Sequence, residues 1–209
     1  MTQVKNSFVA LLLLLVFVVV IWGVFLVNWW LLDGELNRQG IRPIALPYEF
    51  VSVLREIGNI SFSPSYIWRV IQSILMSPLL HAGFGHIWSN TLALLILGGL
   101  VALRGVKSLI GVSIFVVLLG GTLVWLFGRP AVHIGASGLV FGYFGYLVAL
   151  GWFRRSIVTV GVAALVLFVY GVSIFLGALP QGGFISWEGH LFGLIAGVLA
   201  AMLSRRTPE

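Results

Sequence analysis

The sequence predicts an all-α membrane protein, a bundle of six transmembrane helices with a long, partly helical loop between the first two spans. Three observations carry that expectation. Apolar types make up 60% of the 209 residues, and Gly fills 26 further positions, against roughly 45–50% in soluble chains with Gly counted. Only 9% of the chain is charged, too little to coat a soluble globule of this size. Six apolar stretches approach or exceed the roughly 20 residues that cross a bilayer as helix. Together these exclude a cytosolic enzyme, a disordered chain and a nucleic-acid-binding domain. The net charge of +6 reads instead as residues flanking membrane spans. With no Cys in the chain, disulfide frameworks and thiolate metal sites are excluded.

The spans are expected at about residues 8–32, 85–103, 108–127, 137–153, 156–178 and 188–203. The first runs uncharged from Phe8 to Leu32, well beyond the roughly 7–15 residues of a signal-peptide core. It reads as a retained span, and the short tails leave no room for a soluble domain. Lys5, Arg104, Lys107, Arg154, Arg155, Arg205 and Arg206 gather at span ends on one side. Arg38, Arg42, Arg55, Arg69 and Arg129 fall on the other, diluted by Asp33, Glu35, Glu49 and Glu56. The bias puts both termini in the cytoplasm, and the lack of soluble appendages fits a bacterial plasma membrane.

The loop over residues 33–84 is punctuated by Pro43, Pro47 and Pro64, each of which disfavours helix at the residue before it. Phe50, Val53, Leu54 and Ile57 recur at helical spacing with Glu49, Arg55 and Glu56 elsewhere on the wheel. That pattern predicts a short interfacial helix. A second is expected over Trp68 to Leu75.

Polar side chains at membrane depth are costly and mark function. Three clusters stand out: His81 to Asn90 at the start of span 2, Gly135-Ala136-Ser137-Gly138 opening span 4, and Glu188-Gly189-His190 opening span 6. Alternation of loops puts all three toward the non-cytoplasmic side, with Ser137, His190, His86 and Asn90 at similar depth. Spacings of four on Gly138/Gly142 and Gly189/Gly193/Gly197, with Gly145 one turn further on span 4, let spans 4 and 6 approach closely and bring Ser137 toward His190.

A Ser hydroxyl becomes nucleophilic when a base takes its proton, and neutral His is the commonest such base. Attack on an amide creates an oxyanion that needs donors already aimed at it. Ser137 heads a helix, where free N–H groups favour negative charge, and the Asn90 amide and His86 imidazole are donors of the right kind. No acidic residue is expected inside a span, and Glu188 points to another face than His190, so a Ser–His dyad fits better than a triad.

These residues resemble the rhomboid intramembrane serine proteases in their basic six-span form. The resemblance rests on Trp68-Arg69, His81-Ala82-Gly83-Phe84-Gly85-His86 with Asn90, Gly135-Ala136-Ser137-Gly138, and His190 followed by Gly193 and Gly197. It covers about residues 68–200 and implies a single rhomboid-like transmembrane domain over 1–209. It further implies Ser137 as nucleophile, His190 as general base, and Asn90, His86 and the Ser137 N–H as oxyanion hole. Phe141 falls where an aromatic ring packs on the catalytic imidazole. Gly135 and Gly138 belong to the Ser motif, and His81 falls at a structural position of the first loop. Trp68-Arg69 resembles the pair that anchors that loop in the outer leaflet, although the stretch from Arg69 to His81 is about one helical turn longer than the family pattern. His133 is expected to be interfacial and solvated. The implied partners are transmembrane protein substrates and membrane lipid, with no metal or cofactor.

The alternative reading is a catalytically inactive rhomboid-like factor that binds or sorts membrane proteins. Such relatives lack the Ser or the His, and this sequence has both. An intramembrane metalloprotease would carry H-E-x-x-H, and no Glu follows a His here. Haem ligation by two of His81, His86 and His190 remains open, and a small transporter lacks the expected pair of broken, charged spans.

Overall fold

A computed structural model describes residues 3–44, 63–183 and 185–204. The interfacial helix expected around Phe50 to Ile57 lies outside the described residues. Among the described residues, seven helices define the architecture: α1 (Gln3–Leu31), α2 (Pro64–Met76), α3 (Phe84–Ala102), α4 (Val106–Phe127), α5 (Ser137–Arg154), α6 (Ile157–Gly177) and α7 (Trp187–Ser204). Short 3₁₀ turns occupy Glu35–Gln39 and Ser77–Leu79. No strand occurs among the described residues, whose one extended pairing is an isolated bridge between Ile41 and His133.

Among the described residues, five helices (α1, α3, α4, α6 and α7) are long and apolar enough to cross a membrane. The remaining expected span, the fourth, is α5; it is 18 residues long with 11 of them buried, and it is less apolar because its neighbours, rather than lipid, cover it. The outer helices show the opposite pattern. Phe168 on α6 is 89% exposed and Val19 on α1 is 69% exposed, a surface that water does not tolerate but hydrocarbon does.

Local signals set the helix ends. Ser63 caps α2 by accepting from the Tyr66 N–H, with Pro64 at the first helical position, where a missing N–H costs nothing. Ser156 and Thr159 form a reciprocal cap at the start of α6. The long helices α3 and α4 each contain a wider π-helical turn, Leu94–Gly98 and Val116–Gly120.

Apolar contact gives no preference between helix faces in lipid, so polar pairs and small residues choose the neighbours. Trp22 on α1 donates its indole N–H to Thr91 on α3 at 3.0 Å. Ser113 on α4 and Tyr143 on α5 share a hydrogen bond of 2.6 Å. The most extensive pair is α5 with α7, and glycine makes it possible. A Cβ on Gly193 would fall onto the Gly138 carbonyl, and one on Gly197 onto the Gly142 carbonyl. The two backbones touch.

Gly197→Leu is therefore expected to cost about 3 kcal/mol or more by overpacking. Gly161→Ala on α6, where a Cβ meets nothing within 4 Å, should leave stability unchanged or raise it by up to about 1 kcal/mol. Thermal unfolding in micelles, followed by Trp fluorescence, checks the pair. Equal effects of the two substitutions would contradict the backbone contact.

Candidate active site

The α5–α7 contact brings its two polar head residues together. Ser137 is the first residue of α5, and its Oγ lies 2.9 Å from His190 Nε2 on α7. The other ring nitrogen, Nδ1, lies 2.9 Å from the carbonyl oxygen of Gly177. A carbonyl only accepts, so Nδ1 carries the proton and Nε2 offers its lone pair to the Ser137 hydroxyl. Gly177 is the last residue of α6, and carbonyls at a helix end have no intrahelical partner. The helix terminus thus sets the tautomer without a carboxylate. Phe141, one turn along α5, stacks on the His190 ring with centroids 4.1 Å apart and planes 13° apart. Gly177 also has no room for a Cβ, which would approach Phe141 Cζ to 2.7 Å.

From α3, His86 faces the same spot. Its Nδ1 accepts a long hydrogen bond of 3.5 Å from the Ala82 N–H, which leaves Nε2 as the donor. A Cβ on Gly135 would come within 2.7 Å of that Nε2 and 3.6 Å of Ser137 Oγ. Gly135 also adopts φ +119°, a left-handed conformation that L side chains avoid. No side chain fits there by either criterion. Asn90, one turn further along α3, is buried, and its Nδ2 makes no hydrogen bond among the described residues. A cavity of about 50 Å³ adjoins Ser137, walled partly by Val116, Gly120, Gly138 and Gly189.

His81 lies outside this group as a loop anchor. It is 1% exposed, its Nε2 accepts from the Ala136 N–H at 3.5 Å, and its carbonyl accepts from Asn37 at 3.3 Å. Asn37 in turn receives a hydrogen bond from buried Asn28 of α1 at 3.0 Å. Trp68 and Arg69 are both exposed on α2.

His133 corrects an expectation. Rather than being solvated, it is 4% exposed, because its backbone pairs with Ile41 in both directions at 3.0 and 2.9 Å. Its Nε2–H donates to the Arg129 carbonyl at 3.1 Å, and its Nδ1 accepts from Ser186 Oγ at 2.6 Å. Ser186 Oγ also accepts from the Gly189 N–H at 3.2 Å, which caps α7 three residues before His190. Arg129 completes the junction. Its guanidinium donates to the carbonyls of Gln181, Gly183 and Ile185 and pairs at 3.4 Å with Glu188, itself 2% exposed. Glu188 therefore faces the α4–α5 loop, not the His190 ring. Sequence reading missed Gly177, Ser186 and the Arg129–Glu188 pair. Only Ser186 left a signal, as a Ser three residues before a helical glycine.

Residues 64–207 match the Rhomboid domain family. The chain belongs to the rhomboid family. An uncharacterized protein of Mycobacterium tuberculosis is 43% identical over 146 residues, covering 66% of this chain and 59% of the relative. The putative rhomboid protease YdcA of Bacillus subtilis is 25% identical over 158 residues, 72% of this chain and 74% of that protein. RHOMBOID-like protein 1 of Arabidopsis thaliana is 30% identical over 146 residues, 68% and 36% of the two chains. The matched region thus spans about three-fifths of the mycobacterial relative's length, 59%.

Burial, then the neighbouring His86, pushes His81 down to about 4, and burial also lowers His133. For His81 the folded value lies below the unfolded 6.5, so the unfolded chain binds more protons as pH falls. Its contribution to stability is complete above pH 6.5 and is lost as pH drops toward 4. His81→Gln should flatten that part of the stability profile, measured by denaturation midpoints across the same pH range. An unaltered acid limb in the variant would contradict the neutral, buried role.

Proposed function

We propose that this chain is an intramembrane serine protease that hydrolyses peptide bonds in or near transmembrane segments of other membrane proteins. The observation that carries the reading is the 2.9 Å contact between Ser137 Oγ and His190 Nε2, in a ring whose opposite nitrogen is held by the Gly177 carbonyl. Ser137 Oγ attacks the scissile carbonyl as its proton passes to His190 Nε2. The oxyanion is received by the Ser137 N–H at the helix start, the His86 Nε2–H and the Asn90 amide, whose Nδ2 is otherwise unpartnered. His190 then hands its proton to the leaving amine, and the C–N bond breaks. Water, deprotonated by the same ring, cleaves the acyl ester and restores the Ser137 hydroxyl. No step in this sequence calls for a metal or cofactor.

The cavity beside Ser137, about 50 Å³, has room for a few waters or a small side chain, which favours a small residue at the cut. A substrate helix must unwind locally, because its own hydrogen bonds shield the scissile carbonyl.

Ser137→Ala and His190→Ala are each expected to abolish cleavage of a model transmembrane substrate and labelling by a fluorophosphonate. Asn90→Ala should cut the rate by about 10²–10³-fold while labelled protein still accumulates. Cleavage that persists in purified Ser137→Ala protein refutes the assignment. An intact wild-type fold that neither labels nor cleaves favours the inactive binding factor.

The charge bias supports cytoplasmic termini, with the Ser137 end facing the opposite compartment. Because the chain has no Cys, single cysteines report sidedness without background. Ala131→Cys should react with a membrane-impermeant maleimide on intact cells, and Lys5→Cys only after permeabilisation. The reverse pattern overturns the orientation.

A further inference from the structure

Two Ser–His contacts stand at the Ser137 end of the bundle. The first joins Ser137 to His190 at 2.9 Å. The second joins Ser186 Oγ to His133 Nδ1 at 2.6 Å. Short stretches of chain connect them, since Ser137 follows His133 by four residues and His190 follows Ser186 by four. The two contacts and the two stretches therefore close a ring through the nucleophile's loop and the base's helix. Both stretches are held stiffly. Between His133 and Ser137, the His133 backbone pairs with Ile41, and the Gly135 N–H donates to the Ser77 carbonyl at 2.8 Å. The His133 ring is equally confined, with Nε2–H on the Arg129 carbonyl at 3.1 Å. A Cβ on Gly128 would come within 3.1 Å of that same nitrogen. Between Ser186 and His190 lies the first turn of α7. There the Gly189 N–H donates to Ser186 Oγ and the His190 N–H to the Ser186 carbonyl, each at 3.2 Å. A hydroxyl has one proton and two lone pairs. Ser186 gives its proton to His133 Nδ1 and a lone pair to the start of α7, so it is where one loop takes hold of the other helix.

We propose that His133 is a positioning residue for His190: its Nδ1 holds Ser186, and through the first turn of α7 it sets the His190 imidazole against the Ser137 hydroxyl. The inference rests on the hydrolase reading and adds to it a residue that touches neither substrate nor reacting atoms. The Arg129–Glu188 pair clamps the same helix start, but Arg129 lies four residues further from Ser137 along the chain than His133 does. His133 is thus the shorter tie between the two reacting side chains. A base displaced by about 1 Å still folds and still binds, but it transfers protons slowly.

His133→Phe keeps a ring and removes the acceptor, while His133→Asn returns an acceptor near the Nδ1 position. The full chain and its variants, purified in detergent, are reacted with a fluorophosphonate, and the rate constant and final extent of labelling are recorded separately. Misfolded protein lowers the extent, whereas a displaced base lowers the rate and leaves the extent complete. His133→Phe should label to completion about 10–100-fold more slowly than wild type. Its kcat on a model transmembrane substrate should fall by a similar factor with KM unchanged. His133→Asn should recover most of the rate. Ser186→Ala, a smaller change at the same contact, should be slowed at least as much as His133→Phe, and the double variant should be no slower than Ser186→Ala alone. A wild-type rate in His133→Phe or in Ser186→Ala, equal losses in the Phe and Asn variants, losses that multiply in the double variant, or an adduct on Ser186 overturns the proposal. A wild type that neither labels nor cleaves removes the hydrolase reading and this inference with it. A reactive wild type beside an equally fast His133→Phe removes this inference alone.

Discussion

The whole arrangement depends on the backbone of α5 touching the backbone of α7. In a bilayer, burying apolar side chains between two helices gains little over leaving those side chains in lipid. What remains is close packing, and it is available only where side chains are absent. Gly138 and Gly142 on one helix meet Gly193 and Gly197 on the other, with no space for a Cβ at either of the latter. The consequence is chemical. A hydroxyl and an imidazole at the heads of two helices reach 2.9 Å only when the helix axes are this close. Proton transfer between positioned groups loses most of its advantage with misplacement of about 1 Å.

A second constraint fixes the rotation and start of α7. Small residues define a contact stripe but not where along it the helix begins. That is settled at the outer end, where Ser186 caps the helix and Arg129 gathers three carbonyls of the α6–α7 loop around buried Glu188. Removing one partner from a buried pair like Arg129–Glu188 leaves an uncompensated charge. The junction therefore holds its geometry strongly, even though the pair itself adds little net stability. His133 and His81, the two histidines outside the candidate site, serve the same end. Each spends its ring or backbone on joining loops that flank Ser137.

Much of this was legible in the sequence because lipid imposes simple rules. Long uncharged runs mark helices, and a glycine every fourth residue marks the face that meets another backbone. A Ser and a His in such a setting are too costly to be idle. The rest depended on loops. Whether His133 is wet or buried turns on a bridge to Ile41, nearly a hundred residues away, and no local pattern announces that pairing. Glu188 is readable as a helix-start acid, yet its partner Arg129 belongs to another loop. Gly177 acts through its carbonyl, a group that every residue has, so its side-chain identity carries no trace of the role. α5 was legible as a span at 137–153 although it is less apolar, since the helix best shielded from lipid has least need to be greasy.

The Gly177 carbonyl also accounts for how the proposed hydrolase site would work without an acidic third residue. A carboxylate behind His190 would stabilise an imidazolium more strongly, but it would first have to be brought out of water. In a low-dielectric bundle that desolvation costs several kcal/mol unless paired. A carbonyl at the end of α6 is already present, already lacks an intrahelical partner, and carries the partial negative charge of a helix C-terminus. It orients the ring without any charge to bury. Phe141 lies flat against the ring at 4.1 Å, where its π-face would tolerate the positive charge that the proposed proton transfer creates. Orientation comes from the helix end and the stacked ring, so the proposed base needs no second ionisable group behind it.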